Sequence, residues 1–250
     1  MGDTYSRSAD GWLFSDFIKL RSKLMSKKLL IFGTKEMAKR TIEAIGEQNE
    51  YSEISLLDIL PDDGRDYPYP IIGKSDDLER FVPDFTHGIV CIVDPTTRLH
   101  FLQKLIATGL EIPNVIHPQA YISKSASLGK GIIVNAFGAI QSDSKIGNGC
   151  FIETGAIVEH DNELGDCVAI SPNASTMGHV KIGARTFVAG SACVNNNVRI
   201  GENVLVATGA VVTSDVPDNV MVAGCPAKIK KPVTEMKHLI WPGVYPESNA

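Results

Sequence analysis

The side chains best suited to moving a proton come together when the second half of the chain is written out at a repeat of eighteen residues. One column then reads Ser142, His160, Gly178, Asn196 and Ser214, and the column beside it reads Asp143, Asp161, His179, Asn197 and Asp215. Asp161 directly follows His160, so a carboxylate is at hand to orient the imidazole and raise its basicity, as a general base requires. Gly178 stacks on His160 and is expected to leave open space and bare backbone beside the ring, where a thin ligand arm could lie. Such columns project from the corners of a coil, so His160 should face outward and not into the core. His179 reads as a solvated corner residue. By spacing alone, a lone histidine at a solvated corner is more often ornamental than catalytic.

The frame that holds these columns is a six-residue rhythm. From Ile116 to Val212 every sixth position is aliphatic at sixteen of seventeen places, without insertion or deletion, and only Thr176 departs from it. Fixed-period self-similarity is the signature of a solenoid. Six residues suit one short strand plus a corner, so three units close one triangular coil. Gly129, Gly147, Gly165, Gly183 and Gly201 recur at eighteen and mark one corner of successive coils; tolerance of positive φ is the expected reason for glycine there. The reading is a parallel β-helix of five to six coils over residues 114–216, with branched side chains filling the prism. A β-sandwich of short strands would space its turns irregularly.

The first half of the chain is organised differently. Residues 1–26 form an extension in which Leu13, Phe17, Leu20 and Leu24 fall at helical spacing with basic residues nearby. A basic amphipathic helix can lie on a membrane surface or a partner; packing on its own protein is the favoured reading. Met25-Ser26-Lys27 also reads as a natural start. Residues 27–113 alternate strands at Leu29–Phe32, Ile54–Leu57 and Ile89–Val93 with helices at Glu36–Gly46 and Thr96–Thr108, a small Rossmann-like α/β domain. Gly33 turns the first strand, Lys35 could offer charge to a phosphate, and Asp58 ends the second strand, where an acidic residue often holds a ribose hydroxyl. The glycine loop is sparse, so nucleotide binding and a purely structural domain both stay open. Residues 217–250 read as a cap over the last coil.

Composition narrows the possibilities. The 250 residues carry 24 Lys and Arg against 29 Asp and Glu, a net charge of −5 that argues against nucleic acid as the main partner. The five cysteines are scattered without zinc-finger spacing, which fits reduced thiols in the cytoplasm. No stretch approaches the roughly twenty apolar residues of a spanning helix, and no secretory pattern opens the chain.

Val158-Glu159-His160-Asp161, followed by Leu164-Gly165-Asp166, resembles the catalytic segment of the sialic acid O-acetyltransferase family of sugar acyltransferases. Over both domains the chain is similar to bacterial nucleotide-sugar N-acetyltransferases acting on UDP-4-amino sugars. The resemblance implies a left-handed β-helix, whereas the crossover rule alone predicts the right-handed form. It further implies a homotrimer that uses acetyl-CoA, bound between neighbouring β-helices. His160 is then the proton acceptor and Asp161 tunes it, while backbone N–H groups near Gly178 hold the thioester oxygen. Coenzyme contacts are implied at Gly178, Gly190, Gly209, the strand position of Ala169, and Lys228 in the Gly-x-Pro-Ala-Lys element. Nucleotide-sugar contacts are implied at Gly33, Lys35, Asp58 and Gly73. Two departures stand out. Ala169 replaces a histidine that relatives often direct at the thioester, and Gly33-Thr34-Lys35-Glu36-Met37-Ala38 replaces a Gly-x-x-Gly-His-Gly pattern.

Two other readings remain. A zinc hydrase on a β-helix trimer needs three converging histidines, and only His160 and His179 lie in adjacent columns here, so no metal is expected. A non-catalytic trimer, serving as scaffold or nucleotide-sugar sensor, is favoured by Ala169 and the sparse glycine loop. For the trimer itself, the outward Ile133, Phe151, Ile157 and Phe187 should form patches too apolar for a free surface.

Overall fold

The structure is a computed structural model that describes residues 27–33, 36–46, 50–58, 69–236 and 240. The extension over residues 1–26 and Lys35 lie outside the described residues. The α/β domain carries one parallel sheet of β1 (Lys28–Phe32), β2 (Glu53–Asp58), β3 (Ile71–Lys74) and β4 (His87–Val90), in the order β3-β2-β1-β4. Leu29, Leu30, Ile31 and Phe32 are wholly buried, as expected for a parallel strand covered on both faces. Helices run over Glu36–Gly46 and Pro95–Ala107. The second begins sharply: Pro95 opens it, and Asp94 Oδ2 accepts from the Thr97 N–H at 2.8 Å and from Thr97 Oγ1 at 2.6 Å. The strand expected at Ile89–Val93 instead spans His87–Val90. Ile71–Lys74 is an additional edge strand; it follows Pro70 and is too short to show an alternating pattern. Among the described residues no helix is long and apolar enough to cross a membrane.

From Val115 to Val212 the chain winds through two-residue strands that stack into three parallel sheets, with partners offset by eighteen, such as Lys145 with Glu163 and Phe151 with Ala169. The inward positions form one core that includes Ile140, Val158, Ile170, Val188, Val194 and Val206. Thr176 sits in this prism at 0 % exposure, with no hydrogen-bond partner for its hydroxyl among the described residues. The coil does not end at Pro217. A last strand, Val220–Ala223, pairs with Leu205–Val206 at an offset of sixteen, and Lys228–Pro232 returns antiparallel to close the end.

The recurrent glycines answer to a different constraint from the one expected. None of Gly129, Gly147, Gly165, Gly183 and Gly201 has positive φ; that conformation falls two residues later, at Gly131, Gly149, Cys167, Arg185 and Asn203. A Cβ on Gly147 would lie 2.6 Å from the Gly165 carbonyl carbon, and one on Gly165 would lie 2.7 Å from Ala184 N. Glycine is needed because successive coils touch backbone to backbone at that corner.

The two domains are locked by Arg98 from the helix Pro95–Ala107. Its guanidinium is buried at 0 % exposure. It donates to Ile92 O at 2.9 Å, Val93 O at 3.0 Å and Cys167 O at 2.7 Å, and lies 3.8 Å from the centre of the Phe151 ring. Beside it the helix Glu36–Gly46 packs Met37, Ile42 and Ile45 into a shared cluster with Ile133, Phe151, Ala169, Phe187 and Leu205. This corrects the expectation for three of the four outward apolar residues. Ile133, Phe151 and Phe187 are buried in a cluster shared with the chain's own α/β domain and with Val233 and Met236 near the C-terminal end of the chain, and only Ile157 remains exposed, at 38 %.

Candidate active site

His160 and Asp161 form the corner between the strands Ile157–Val158 and Glu163–Leu164. Corners of this coil turn through the left-handed region, and Asp143, Asp161, His179 and Asn197 all have φ between 56° and 63°. Three hydrogen bonds hold the backbone here: Asp161 N–H donates to Ser142 O at 3.0 Å, His179 N–H to His160 O at 3.1 Å, and Asn197 N–H to Gly178 O at 3.1 Å. Asn162 staples the corner from inside. Wholly buried, it gives its amide N–H groups to Glu159 O, His160 O and Met177 O. Sequence reasoning did not single out Asn162; its signal is a polar residue in the small-residue column that otherwise carries Ser144 and Val180.

On this fixed backbone His160 faces outward, as expected, with 47 % of its side chain exposed. Its Nδ1 lies 2.8 Å from Asp161 Oδ2. That contact assigns the ring hydrogen to Nδ1 and leaves Nε2 to accept a proton. His179 stands one coil on, with its ring centre 5.2 Å from that of His160, nearly perpendicular to it, and Nε2 at 3.9 Å from Asp161 Oδ2.

Gly178 is where the sequence expectation needs correcting. The space it leaves is filled by the His160 ring, since a Cβ there would lie 2.5 Å from Cε1 and 2.7 Å from Nε2. Glycine therefore seats the imidazole and is itself buried beneath it. Its N–H donates to Asn196 Oδ1 at 3.0 Å, so that group is already engaged and the neighbouring N–H groups serve the coil stacking. Of the five thiols, only Cys193 and Cys225 reach solvent. Burial pushes the Cys91 and Cys150 thiols up to about 12, which makes them poor nucleophiles.

The other expected coenzyme residues lie elsewhere. Ala169, at 1 % exposure, is packed with Phe151 and Phe187 under the α/β domain, so within one chain it offers no surface to a ligand. Gly190 and Gly209 occupy a different corner from His160, the one between Phe187–Val188 or Leu205–Val206 and the strand that follows. Gly209 has φ +67° and open space around it. Lys228 is exposed at the start of the closing strand.

Of the nucleotide residues, Gly33 and Gly73 have packing reasons to be glycine. A Cβ on Gly33 would meet Cys91 O at 2.8 Å, and one on Gly73 would meet the Phe81 ring at 2.6 Å. Asp58 is buried at the end of β2, opposite Lys74 in β3. A polar cavity of about 450 Å³ that sequence reasoning missed opens beyond β4. Asp94, Thr97, Arg185 and Asn203 help to line it, and the buried Asp94 Oδ1 has no partner among the described residues.

Residues 28–105 match the family described as the PglD N-terminal domain. No curated protein matches the chain. Among solved structures, the chain is similar to PerB from Caulobacter crescentus in complex with CoA and GDP-perosamine. Identity is 35 % over 81 % of this chain and 97 % of that one, with a TM-score of 0.76. It is similar to the acetyltransferase domain of PglB from Neisseria gonorrhoeae in complex with acetyl coenzyme A at 32 % identity, over 82 % and 100 % of the two chains, with a TM-score of 0.78. WeeI from Acinetobacter baumannii shares the fold at 20 % identity and a TM-score of 0.59.

Proposed function

The chain belongs to the hexapeptide-repeat sugar acyltransferases, on a left-handed β-helix, and from that premise we propose that it transfers acetyl from acetyl-CoA to the amino group of a nucleotide-linked sugar, with His160 as proton acceptor. The observation that carries this reading is the outward His160 whose Nδ1 is held by Asp161 at 2.8 Å. The sugar amine attacks the thioester carbonyl carbon and the tetrahedral adduct expels the coenzyme thiolate. His160 Nε2 takes the proton that the nitrogen loses. Asp161 keeps the ring turned and stabilises the imidazolium; the transfer needs no acyl-enzyme. The PerB and PglB structures, with CoA or acetyl-CoA bound, support the donor.

The corner is incomplete in a single chain. Ala169 is buried, the Gly178 N–H is engaged, and Gly190 and Gly209 sit at another corner. We infer that a neighbouring copy supplies the missing wall, in a homotrimer. The face next to His160 supports this: Tyr121 at 56 % and Ile157 at 38 % exposure are unusually apolar for solvent. The nucleotide would lie at the carboxyl ends of β1 and β4, where the strand order reverses, beside the Asp94 cavity.

The test is release of free thiol from acetyl-CoA in the presence of uridine- and guanosine-linked 4-amino sugars, with the acetylated sugar identified by mass. Thiol release coupled to one acetylated product supports the reading. Binding of acetyl-CoA without turnover on any of them would favour the non-catalytic scaffold, to which Ala169 and the sparse glycine loop also point.

A further inference from the structure

His160 and Asp161 have a third neighbour, His179, that the acetyl-transfer reading does not use. One nitrogen from each imidazole and one oxygen of the Asp161 carboxylate lie within 4.8 Å of one another. The coil itself imposes this grouping. His160 and Asp161 are consecutive, and His179 occupies the position of Asp161 one turn later, with the same left-handed backbone. Its N–H is bonded to His160 O, which fixes the spacing of the two residues.

We propose that these three residues form a binding site for a divalent transition-metal ion such as zinc, and that an ion bound there turns the base off. Binding stands on the geometry alone, and only the turning off rests on the acetyl-transfer reading above. Two imidazoles and a carboxylate are a donor set suited to zinc, nickel or copper and poorly suited to magnesium or calcium. Metal–ligand distances of about 2.0–2.2 Å place donor atoms about 3 to 3.5 Å apart. The Asp161 oxygen is at 2.8 Å from one imidazole nitrogen and 3.9 Å from the other, so closing round an ion takes adjustments of about 1 Å. The side chains are free to make them, with exposures of 47 %, 43 % and 57 %, while the backbone beneath stays fixed.

The sequence reading counted histidines, found two and expected no metal. The third donor is the carboxylate that looked committed to His160. An ion held at His160 Nδ1 moves the ring hydrogen to Nε2, the nitrogen that would otherwise accept a proton, and takes up the Asp161 charge. Metal occupancy and proton acceptance therefore exclude each other, which makes the ion an inhibitor and not a cofactor.

The full chain carrying Cys225→Ser, which removes the exposed thiol, is titrated with zinc chloride by calorimetry, and a parallel sample with cobalt chloride is followed by absorption. One zinc per chain is expected, with affinity at least tenfold lower in His179→Gln, and a cobalt spectrum free of thiolate charge-transfer bands. His179→Gln should keep metal-free turnover within a few-fold, and at least tenfold more zinc should be needed to halve it. Equal zinc affinity in the two proteins, or a thiolate band, overturns the site. Zinc binding that depends on His179 but leaves turnover untouched overturns the inhibition alone. Zinc binding that depends on His179, in a chain that transfers no acetyl group, would leave the site standing and count against the proposed function instead.

Discussion

Two regions of the same coil are built to opposite ends. On the face under the α/β domain, the outward column Ile133, Phe151, Ala169, Phe187 and Leu205 is buried at 9 % exposure or less, and Arg98 from the helix above is tied to this face through the Cys167 carbonyl and the Phe151 ring. At the corner between the other two faces, His160, Asp161 and His179 keep about half of their side-chain surface open. Both regions hang on the same backbone ladder, so the ladder does not distinguish them. What distinguishes them is completeness. The covered face is packed within one chain, while the corner leaves the His160–Asp161 pair and His179 open to solvent.

The comparison predicts a separation of effects: substitutions at the junction should move the melting temperature and spare turnover, and substitutions at the corner should do the reverse. The largest effect is expected at the junction. Arg98→Ala opens a cavity against Phe151 and strands the Ile92, Val93 and Cys167 carbonyls, costing about 3–5 kcal/mol, which lowers the melting temperature by roughly 10 °C. Calorimetric scanning checks this, and an unchanged midpoint would mean the domains are not held by that side chain.

At the corner, Gly178→Val places its Cβ where the His160 ring lies. It should reduce kcat about a hundredfold, with little change in KM for acetyl-CoA. A rise in KM alone, measured in steady-state assays, would restore the simpler idea that Gly178 leaves room for the coenzyme.

The smallest effect concerns Glu153, buried at the junction beside Arg40 at 2.8 Å and Asn135 at 3.0 Å. Burial raises its carboxyl above the ordinary value of 4.5, and Arg40 and Asn135 pull it back only in part. A raised folded-state value means the folded chain holds the proton more tightly than the unfolded one. The stability from this group is therefore full below the unfolded value and is lost as the pH rises through the folded value. Glu153→Gln keeps an acceptor for both neighbours, so its melting temperature should be higher than that of the unaltered chain at pH 7, and the gain should disappear at pH 4. Melting curves at the two pH values decide; a loss at pH 7 would show that the ion pair outweighs burial.

Much of this was legible in the residues. The six-residue rhythm gives the coils directly, because a prism with one inward side chain per strand tolerates no change of phase. The outward columns were equally readable in principle: Ser127, Lys145, Glu163, Lys181 and Arg199 are a solvent face, and Ile133, Phe151, Phe187 and Leu205 are a covered one. What the sequence does not say is what covers them, and a second copy was expected where the α/β domain lies. Spacing also leaves open why glycine recurs, since close approach and positive φ leave the same letter; here Gly147 and Gly165 answer to approach. The pairing of His160 with Asp161 was visible as neighbours in sequence. The reach of Asp161 to His179 depended on side-chain directions at a left-handed corner, which no spacing reveals.

The central claim is that His160 is the proton acceptor and holds no part of the core. The most direct test is to compare turnover and melting of His160→Ala with the unaltered chain, using an acceptor that the unaltered chain acetylates. The account predicts that turnover falls by about 10² to 10⁴ while the melting temperature moves by no more than about 1 °C, as for an exposed substitution. Full turnover at an unchanged melting temperature would contradict it.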